Sequence, residues 1–447
     1  MRSASITVFL KRGTSASIIA AAVLTGVWAA SGLAQPPAAA SGLTFVQAGR
    51  LLANPADGKV ETNKTVVIRD GHVVEVRDGF VAEPGAKVID LRNSFVLPGL
   101  IDSHVHLLSQ QGPATRTEPV TKTVADETLD GVVHARRTLE AGFTTVADCG
   151  GTNEAIFALR DAIKAGKVEG PRILAAGTAL SAHGGHGQVY GFTPEVTEVI
   201  QSPTLCSGAD ECRRKTRQQI AAGADFIKFH ATGGVLDGGT TGVDQQLTDE
   251  EMVAIISAAH SMGRMVKTHA HSAAGINAAL RAGVDSVEHG TFLNDESIAL
   301  FKQHNAWLVP TLIAGDTVAR EAAKPDTYMP AAIRAKALQV GPMMLDMGRR
   351  AHKAGIRVAF GTDTGVSPHG ENAREFGLMV KAGFTPIEAI RAATTSGAEH
   401  LRQPDIGSLV AGKQADLIAV AGDPTQDVTI LEHVAFVMQN GVVWKHP

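Results

Sequence analysis

Apolar and polar positions alternate in two different ways along this chain. From about residue 95 onward, short apolar runs take turns with longer segments in which apolar residues recur every three or four positions. The runs predict buried strands and the longer segments predict amphipathic helices, several of which end at glycine. Strands are predicted at 95–101, 144–148, 172–176, 225–229, 265–268, 286–288, 307–312 and 358–361. Helices are predicted at 129–141, 154–165, 212–222, 250–262, 273–282, 295–303, 333–354 and 372–382.

This alternation predicts an α/β fold with a parallel sheet, because each helix returns the chain to the same end of the sheet. Eight strand–helix units predict closure into a (β/α)8 TIM barrel. An open, doubly wound sheet is the alternative, since periodicity does not reveal whether the first and last strands pair.

The two ends of the chain have a different pattern of apolar and turn-forming residues from the barrel region. Short segments with strand character are separated there by Gly, Asp and Asn turn signals. Because chain ends commonly lie close together, we predict one small β-sandwich-like domain built from residues 41–96 and 405–447. The barrel domain then spans residues 97–404. The strand-like segments lie at 43–45, 65–69, 72–76, 87–90, 416–420 and 434–439.

The first 34 residues have the pattern of a signal peptide. Arg2, Lys11 and Arg12 precede an apolar stretch, and small residues follow it up to Ala34. We therefore expect cleavage near Ala34 and an exported protein, periplasmic or secreted. An uncleaved membrane anchor is the weaker alternative, because Gly, Ser and Ala make the stretch a poor spanning helix.

Export would also affect the three cysteines. Cys206 and Cys212 lie close in sequence, and an oxidising compartment would allow them to form a disulfide. Two buried free thiols are the alternative, and the sequence leaves this choice open. Cys149 lies at the end of a predicted strand and has no obvious partner.

Charge and composition narrow the range of partners. The formal net charge is -4, and acidic and basic residues are interspersed. No basic run matches a row of phosphates, so nucleic acid is not an expected partner. The chain has 17 histidines and only 2 tyrosines, which directs attention to metal binding because neutral imidazole is the commonest protein metal ligand.

Side chains that can bind metal follow five of the predicted strands. In an extended chain, side chains two residues apart face the same way, so the two imidazoles of His104-Val-His106 can reach one ion. Parallel barrel strands all end on one rim, where such enzymes place their sites. Each residue alone has an ordinary structural explanation, but their convergence favours a metal cluster. The candidates are His104, His106, Lys228, His269, His289 and Asp363.

Lys228 lies in an apolar strand, where an unpaired ammonium is costly. One explanation is an ion pair with a nearby carboxylate such as Asp225 or Asp244. The other is carboxylation by carbon dioxide, because the resulting carbamate is an anion whose two oxygens can bridge two divalent cations. The second explanation converts an unfavourable burial into a metal ligand.

Six motifs together resemble the amidohydrolase superfamily, close to its imidazolonepropionase-like and prolidase-like hydrolases, a branch that includes ochratoxinase-type amidases. They extend over nearly the whole chain beyond the signal peptide. The motifs are Leu97-Pro-Gly-Leu-Ile-Asp-Ser-His-Val-His106, Gly223-Ala-Asp-Phe-Ile-Lys228, Lys267-Thr-His-Ala-His271, Val287-Glu-His-Gly290, Phe360-Gly-Thr-Asp-Thr364 and Gly407-Ser-Leu-Val-Ala-Gly-Lys-Gln-Ala-Asp-Leu417.

The resemblance implies two divalent metal ions, most often zinc. It assigns one ion to His104, His106 and Asp363, and the other to His269 and His289, with carboxylated Lys228 as the bridge. His271 alternates with His269 in the same way as the first histidine pair, and only the family pattern favours His269 as the ligand. Asp363 is the candidate general base and acid.

The same resemblance implies a small amide, a dipeptide or N-acyl amino acid, as substrate, and a homo-oligomer. An imidazolonepropionase-like cyclic amidase or deaminase and a lactonase are alternatives, and a non-catalytic binding protein is not expected because every ligand position is filled. Histidines near the predicted rim are candidates for substrate binding. They are His183, His186, His230, His271 and His369.

Overall fold

The computed structural model describes residues 42–239 and 242–446, and the predicted signal peptide lies outside these residues. The strands are β1 (Leu43–Leu51), β2 (Glu61–Arg69), β3 (His72–Asp78), β4 (Lys87–Pro98), β5 (Leu100–Val105), β6 (Phe143–Asp148), β7 (Arg172–Ala175), β8 (Ser181–Ala182), β9 (Leu205–Cys206), β10 (Ile227–His230), β11 (Val266–Ala270), β12 (Ser286–His289), β13 (Trp307–Val309), β14 (Arg357–Val358), β15 (Leu417–Val420), β16 (Phe436–Gln439) and β17 (Val442–Lys445).

Helices follow most of the central strands, in the order that the sequence predicts. The α-helices are α1 (Glu118–Thr121), α2 (Val124–Glu140), α3 (Asn153–Lys164), α4 (Pro194–Ile200), α5 (Ala209–Ala222), α6 (Asp249–His260), α7 (Ala273–Arg281), α8 (Asp295–His304), α9 (Leu312–Ala323), α10 (Ala331–Ala354), α11 (Arg374–Lys381), α12 (Pro386–Ala392) and α13 (Thr395–His400). A 3₁₀ helix covers Val428–His433. None of the helices in the described part of the chain has both the length and the apolar composition needed to cross a membrane.

Seven strands from the two ends of the chain form one sheet, in the order β17-β16-β15-β4-β1-β2-β3. β15 pairs antiparallel with β4, which joins the last part of the chain to the first. Alternate residues of these strands, such as Val46 and Ile68 near the start and Leu417 and Phe436 near the end, pack into one apolar core. The sheet therefore has a buried face of its own, separate from the core of the barrel.

The eight central strands form a ring, which confirms the predicted α/β barrel. Parallel pairing joins β5-β6-β7 in one set and β10-β11-β12-β13-β14 in another. Backbone hydrogen bonds link the two sets at both edges: Leu180 N–H donates to Lys228 C=O beyond β7, and Ser103 N–H donates to Phe360 C=O beyond β14. The first and last strands are thus neighbours, so the open-sheet alternative is wrong.

Some predicted strands are shorter than the apolar runs that indicated them. The run over 95–101 is divided at Gly99, because β4 continues to Pro98 in the terminal sheet and only β5 belongs to the barrel. The run over 307–312 ends as a strand at Val309, and α9 begins at Leu312. Apolar composition indicates burial, but the identity of the hydrogen-bonding partner decides where a strand ends.

The structure joins Cys206 and Cys212 by a disulfide and leaves Cys149 as a buried free thiol. The disulfide ties β9 to the first turn of α5, and both sulfurs are buried. This pairing answers the question that the sequence left open.

We predict that removing this disulfide lowers stability but does not alter the fold. The bond closes a loop with a sequence separation of 6 residues, for which the loss of chain entropy in the unfolded state corresponds to about 2 kcal/mol. The double variant Cys206→Ala/Cys212→Ala should therefore melt a few degrees lower than the parent, measured by circular dichroism. Adding a reductant should lower the Tm of the parent by a similar amount and leave the variant unchanged; equal melting of all samples would contradict the prediction.

Candidate metal centre

The predicted metal ligands lie together at the carboxyl ends of the barrel strands. His104, Lys228, His269 and His289 are strand residues, while His106 follows β5 directly and Asp363 lies in the loop after β14. All six line a single cavity of about 240 Å³. The residues of separate motifs are therefore neighbours in space.

Three of these side chains form a compact triangle. The Nε2 atoms of His104 and His106 are 3.4 Å apart, and Asp363 Oδ1 lies 3.4 Å from the first and 3.2 Å from the second. Ligand atoms at about 2.0–2.1 Å from a tetrahedral zinc ion are separated by about 3.3 Å. Lys228 Nζ is also 3.4 Å from His104 Nε2, so the amine lies at the same spacing. This donor set fits a divalent metal ion.

Three further imidazoles lie beside this triangle. The ring centroid of His289 is 5.3 Å from that of His104, 4.5 Å from that of His269 and 5.0 Å from that of His271. Of the two ring nitrogens of His269, Nε2 is the one that lies near a backbone carbonyl, 3.3 Å from Gly233 C=O.

Hydrogen bonds fix the orientation of four of the rings. In each ring, Nδ1 forms a hydrogen bond with an oxygen atom of the protein, and Nε2 is then free to bind a cation. Metal sites in which a second group orients the ligand have the same arrangement. The Nδ1 partners are Glu288 Oε2 for His104 at 2.7 Å, Gly150 C=O for His106 at 2.9 Å, Thr311 Oγ1 for His289 at 2.8 Å and Thr291 Oγ1 for His271 at 2.8 Å.

Backbone conformation explains how two successive residues serve the site. Side chains alternate along a strand, so Glu288 and His289 should point to opposite sides of β12. His289 adopts φ 70°, in the left-handed region that non-glycine residues rarely adopt, and this turns its ring back toward the cavity. Asp363, in the loop after β14, also has a left-handed backbone, with φ 58°. Among the described residues, two of the eight non-glycine residues with positive φ are thus candidate ligands.

Burial keeps the imidazoles of His104, His269 and His289 in their neutral form, whereas the pKa of His106 is raised, because its hydrogen bond with Asp363 and the charge of that carboxylate outweigh burial. Desolvation lowers the pKa of His104 to about 4 and places the pKa of His269 and His289 well below the usual value. Burial alone would raise the pKa of Asp363, but the neighbouring His104 and a hydrogen bond with His106 lower it. Neutral histidines and an ionised carboxylate are the forms that bind cations.

The structure separates the five histidines considered for substrate binding. His186, His230 and His271 line the cavity. His183 is exposed and its Nδ1 lies 3.0 Å from Ser207 Oγ, while His369 is stacked on the ring of His134 with centroids 4.1 Å apart. Neither His183 nor His369 is among the cavity-lining residues.

A buried carboxylate that the sequence did not single out holds one wall of the cavity. Asp237, in the Gly-rich loop after β10, accepts hydrogen bonds from His186 Nδ1 at 2.9 Å and from Lys336 Nζ at 2.8 Å. Lys336 lies on α10 and also donates to Gly234 C=O. The loop and α10 are therefore fastened to each other beside the cavity, and the glycines at 233, 234, 238 and 239 were the visible signal in the sequence.

Apolar side chains form a further part of the cavity wall, and none of the sequence motifs had indicated that they lie there. They come from the Gly-rich loop, from α9 and α10, and from the segment after Asp363. They are Val235, Leu236, Val318, Val340, Met344 and Val366.

The amidohydrolase family profile matches residues 95–445, which is more than half of the chain. The chain belongs to the amidohydrolase family. Ochratoxinase from Aspergillus niger is 30% identical over 443 residues, covering 91% of this chain and 87% of that protein. A solved Xaa-Pro dipeptidase with bound methionine in its active site has a TM-score of 0.86 at 37% identity, covering 90% of this chain and 100% of the other. A prolidase complexed with N-methylphosphonate-L-proline has a TM-score of 0.82 at 30% identity, covering 91% and 100%.

Membership of the amidohydrolase family, together with these relatives, makes this protein a hydrolase that acts on carbon–nitrogen bonds of amides. It also confirms the resemblance of the six sequence motifs to the amidohydrolase superfamily. The barrel with a small additional domain is the architecture expected from the same similarity.

Proposed function

We propose that this protein is a binuclear zinc amidohydrolase that cleaves dipeptides or N-acyl amino acids. The observation that carries the proposal is the convergence of His104, His106, Asp363 and Lys228 at spacings of 3.2–3.4 Å beside further buried histidines. One ion would be held by His104, His106 and Asp363, and the other by His269 and His289.

The surroundings of Lys228 support its role as a carboxylated bridge between the ions. Its side chain is 3% exposed, and no carboxylate within the described residues forms an ion pair with it. Asp225, one of the suggested partners, is bound instead by Arg160. A buried amine without an anionic partner is unfavourable, whereas a carbamate at this position supplies the anion that two cations require.

Asp363 would carry the proton during hydrolysis. When two divalent ions are bound, they supply a water of lowered pKa and polarise the scissile carbonyl. Asp363 Oδ1, at 3.2 Å from His106 Nε2, lies at the cavity surface and is ionised, so it can accept the proton of the attacking water and pass it to the leaving nitrogen. The orienting bonds from Glu288 and Thr311 keep the imidazoles still during this transfer.

The apolar wall supports a substrate with a hydrophobic side chain next to the scissile bond. Val318, Val340 and Met344 on α9 and α10 line the same cavity as the candidate ligands. Burying such a side chain of the substrate contributes about 1.5–3 kcal/mol, while a charged one would lose hydration without a partner. This agrees with a related dipeptidase that holds methionine in its active site.

The cellular setting belongs to the same proposal. The N-terminal sequence pattern and the Cys206–Cys212 disulfide support an exported protein, because disulfides persist in oxidising compartments. We propose a periplasmic or secreted enzyme that works on small molecules as a homo-oligomer, without a nucleic acid partner or a stable membrane anchor.

Activity and metal content test the proposal together. The purified protein, loaded with Zn²⁺, should hydrolyse members of a library of dipeptides and N-acyl amino acids, with kcat/KM rising from charged to apolar side chains. Dialysis against a chelator should remove about two ions per chain and abolish activity, and Zn²⁺ should restore it. One ion per chain with turnover of cyclic amides or deamination substrates would favour the imidazolonepropionase-like alternative, and turnover of lactones alone would favour a lactonase.

A further inference from the structure

Beneath the candidate ligands, the barrel interior contains a lysine and a glutamate that are both completely buried. Lys267 lies on β11 and Glu288 on β12, and each side chain is 0% exposed. Lys267 shares its strand face with His269, two residues later, so the ammonium lies one layer below the cavity. Barrel interiors are usually filled by branched apolar residues, so a charged pair at this depth requires an explanation.

Lys267 occupies the centre of a small polar group. Its Nζ donates a hydrogen bond to Ser103 C=O on β5 and lies 3.7 Å from Glu288 Oε1. It also lies 3.8 Å from the sulfur of Cys149 and 5.3 Å from the ring centroid of Phe226. The ammonium therefore connects β11 to β5, the strand that carries His104, across the barrel.

Glu288 connects this group to the candidate metal centre. Its Oε2 accepts a 2.7 Å hydrogen bond from His104 Nδ1, and its Oε1 accepts one from Ser286 Oγ. An ionised acceptor at Nδ1 keeps the proton on that nitrogen, which leaves the Nε2 lone pair of His104 for a cation. His104 is 1% exposed, so water does not compete for this contact.

We propose that Lys267 and Glu288 are a positioning pair that fixes the tautomer and orientation of His104 and thereby sets the affinity of the site for its divalent ion. This inference rests on the proposed function, because it assigns His104 as a ligand. Lys267 neutralises Glu288 and holds its carboxylate against β5, and Glu288 holds the imidazole. Neither residue is among those that line the cavity.

The energetics of buried ion pairs favour this role over a purely structural one. Replacing such a pair by uncharged residues of similar volume is often neutral or stabilising for the fold, whereas removing one partner leaves a buried charge and is strongly destabilising. Stability alone therefore gives little reason for the pair. The orientation of a metal ligand gives a better reason for the pair, because loss of a partner that orients a ligand typically costs 10–100-fold in metal affinity.

The experiment compares four forms of the full-length protein: the parent, Glu288→Asp, the uncharged double variant Lys267→Met/Glu288→Gln, and a control. In the control, Arg172→Met/Asp416→Asn, the partly buried pair that is removed joins the first residue of β7 to the residue before β15, and neither residue lines the cavity. The Kd for Zn²⁺ is measured by competition with a chromophoric chelator, the Co²⁺ absorption spectrum reports ligand geometry, and circular dichroism gives Tm.

We expect the uncharged double variant to keep a Tm close to that of the parent, to bind Zn²⁺ about 10–100-fold more weakly and to show an altered Co²⁺ spectrum. Glu288→Asp keeps the charge but withdraws the carboxylate from His104, so it should also weaken Zn²⁺ binding even if the double variant fails to fold. The control should keep the parent's Kd.

Parent-like affinity in Glu288→Asp, or in a folded double variant, would overturn the positioning role while leaving the proposed function intact. A parent protein that binds no divalent ion in the same competition assay would overturn both. A control variant that loses affinity as much as the double variant would show a general effect of destabilisation and would also overturn the inference.

Discussion

Replacing Lys228 by Ala should lower kcat/KM for the best amide substrate by about 10³-fold or more, equivalent to about 4 kcal/mol of transition-state stabilisation. The change removes the amine that lies 3.4 Å from His104 Nε2, and with it the proposed bridging anion. Two cations without a shared anion repel each other, so bound zinc should fall below two ions per chain. Metal analysis and steady-state kinetics on the same preparation measure both effects.

A small carboxylic acid should partly rescue this variant. Propionate is short enough to enter the space vacated by the side chain, and its two oxygens can replace those of the carbamate. Lys302 is exposed on α8, so the Lys302→Ala variant is the control. It should keep the activity and the bound zinc of the parent. Full activity with two bound ions in Lys228→Ala, without added acid, would refute the bridging role.

Replacing Asp363 by Asn should lower kcat by about 10³-fold, within the range expected for loss of a positioned general base and acid. The amide has the size of the carboxylate, and Asn accepts the left-handed backbone at φ 58° as readily as Asp. Because Asp363 is also a proposed metal ligand, bound zinc is measured on the same sample; at unchanged zinc content, the loss can be attributed to the missing charge and proton acceptor. KM should change less than kcat, because the apolar wall that binds the substrate is untouched.

Asp70→Asn provides a matched control for this change. Asp70 also has a left-handed backbone, with φ 51°, but it is exposed in the turn between β2 and β3. This variant should keep the parent's kcat, KM and Tm. If Asp363→Asn retained kcat within a factor of three, a different group would have to move the proton.

The sequence was most informative where a local pattern has one physical meaning. Strand–helix alternation predicted the barrel, because parallel strands need a helical return. The spacing of His104 and His106 predicted two imidazoles on one side of a strand, and the structure places them 3.4 Å apart at Nε2. The shorter strands at Val309 and Val358 show where the same approach was weaker, because apolar composition does not identify a hydrogen-bonding partner.

Other features of the site depend on contacts between distant segments. Glu288 stands next to His289 in a recognised motif, yet strand alternation alone would have placed the two side chains on opposite sides. Only the left-handed backbone of His289 brings both to the metal centre. The hydrogen bond from Lys336 Nζ to Asp237 likewise joins residues that are 99 positions apart in the sequence.

By itself, the sequence determined the fold class, the rim on which the candidate ligands lie and the chemical type of those ligands, because these follow from periodicity and strand direction. The tertiary structure decided which histidines line the cavity, how each ring is held and what forms the apolar wall. Those features arise where separate segments meet, and the free energy of such contacts depends on the neighbours that folding provides.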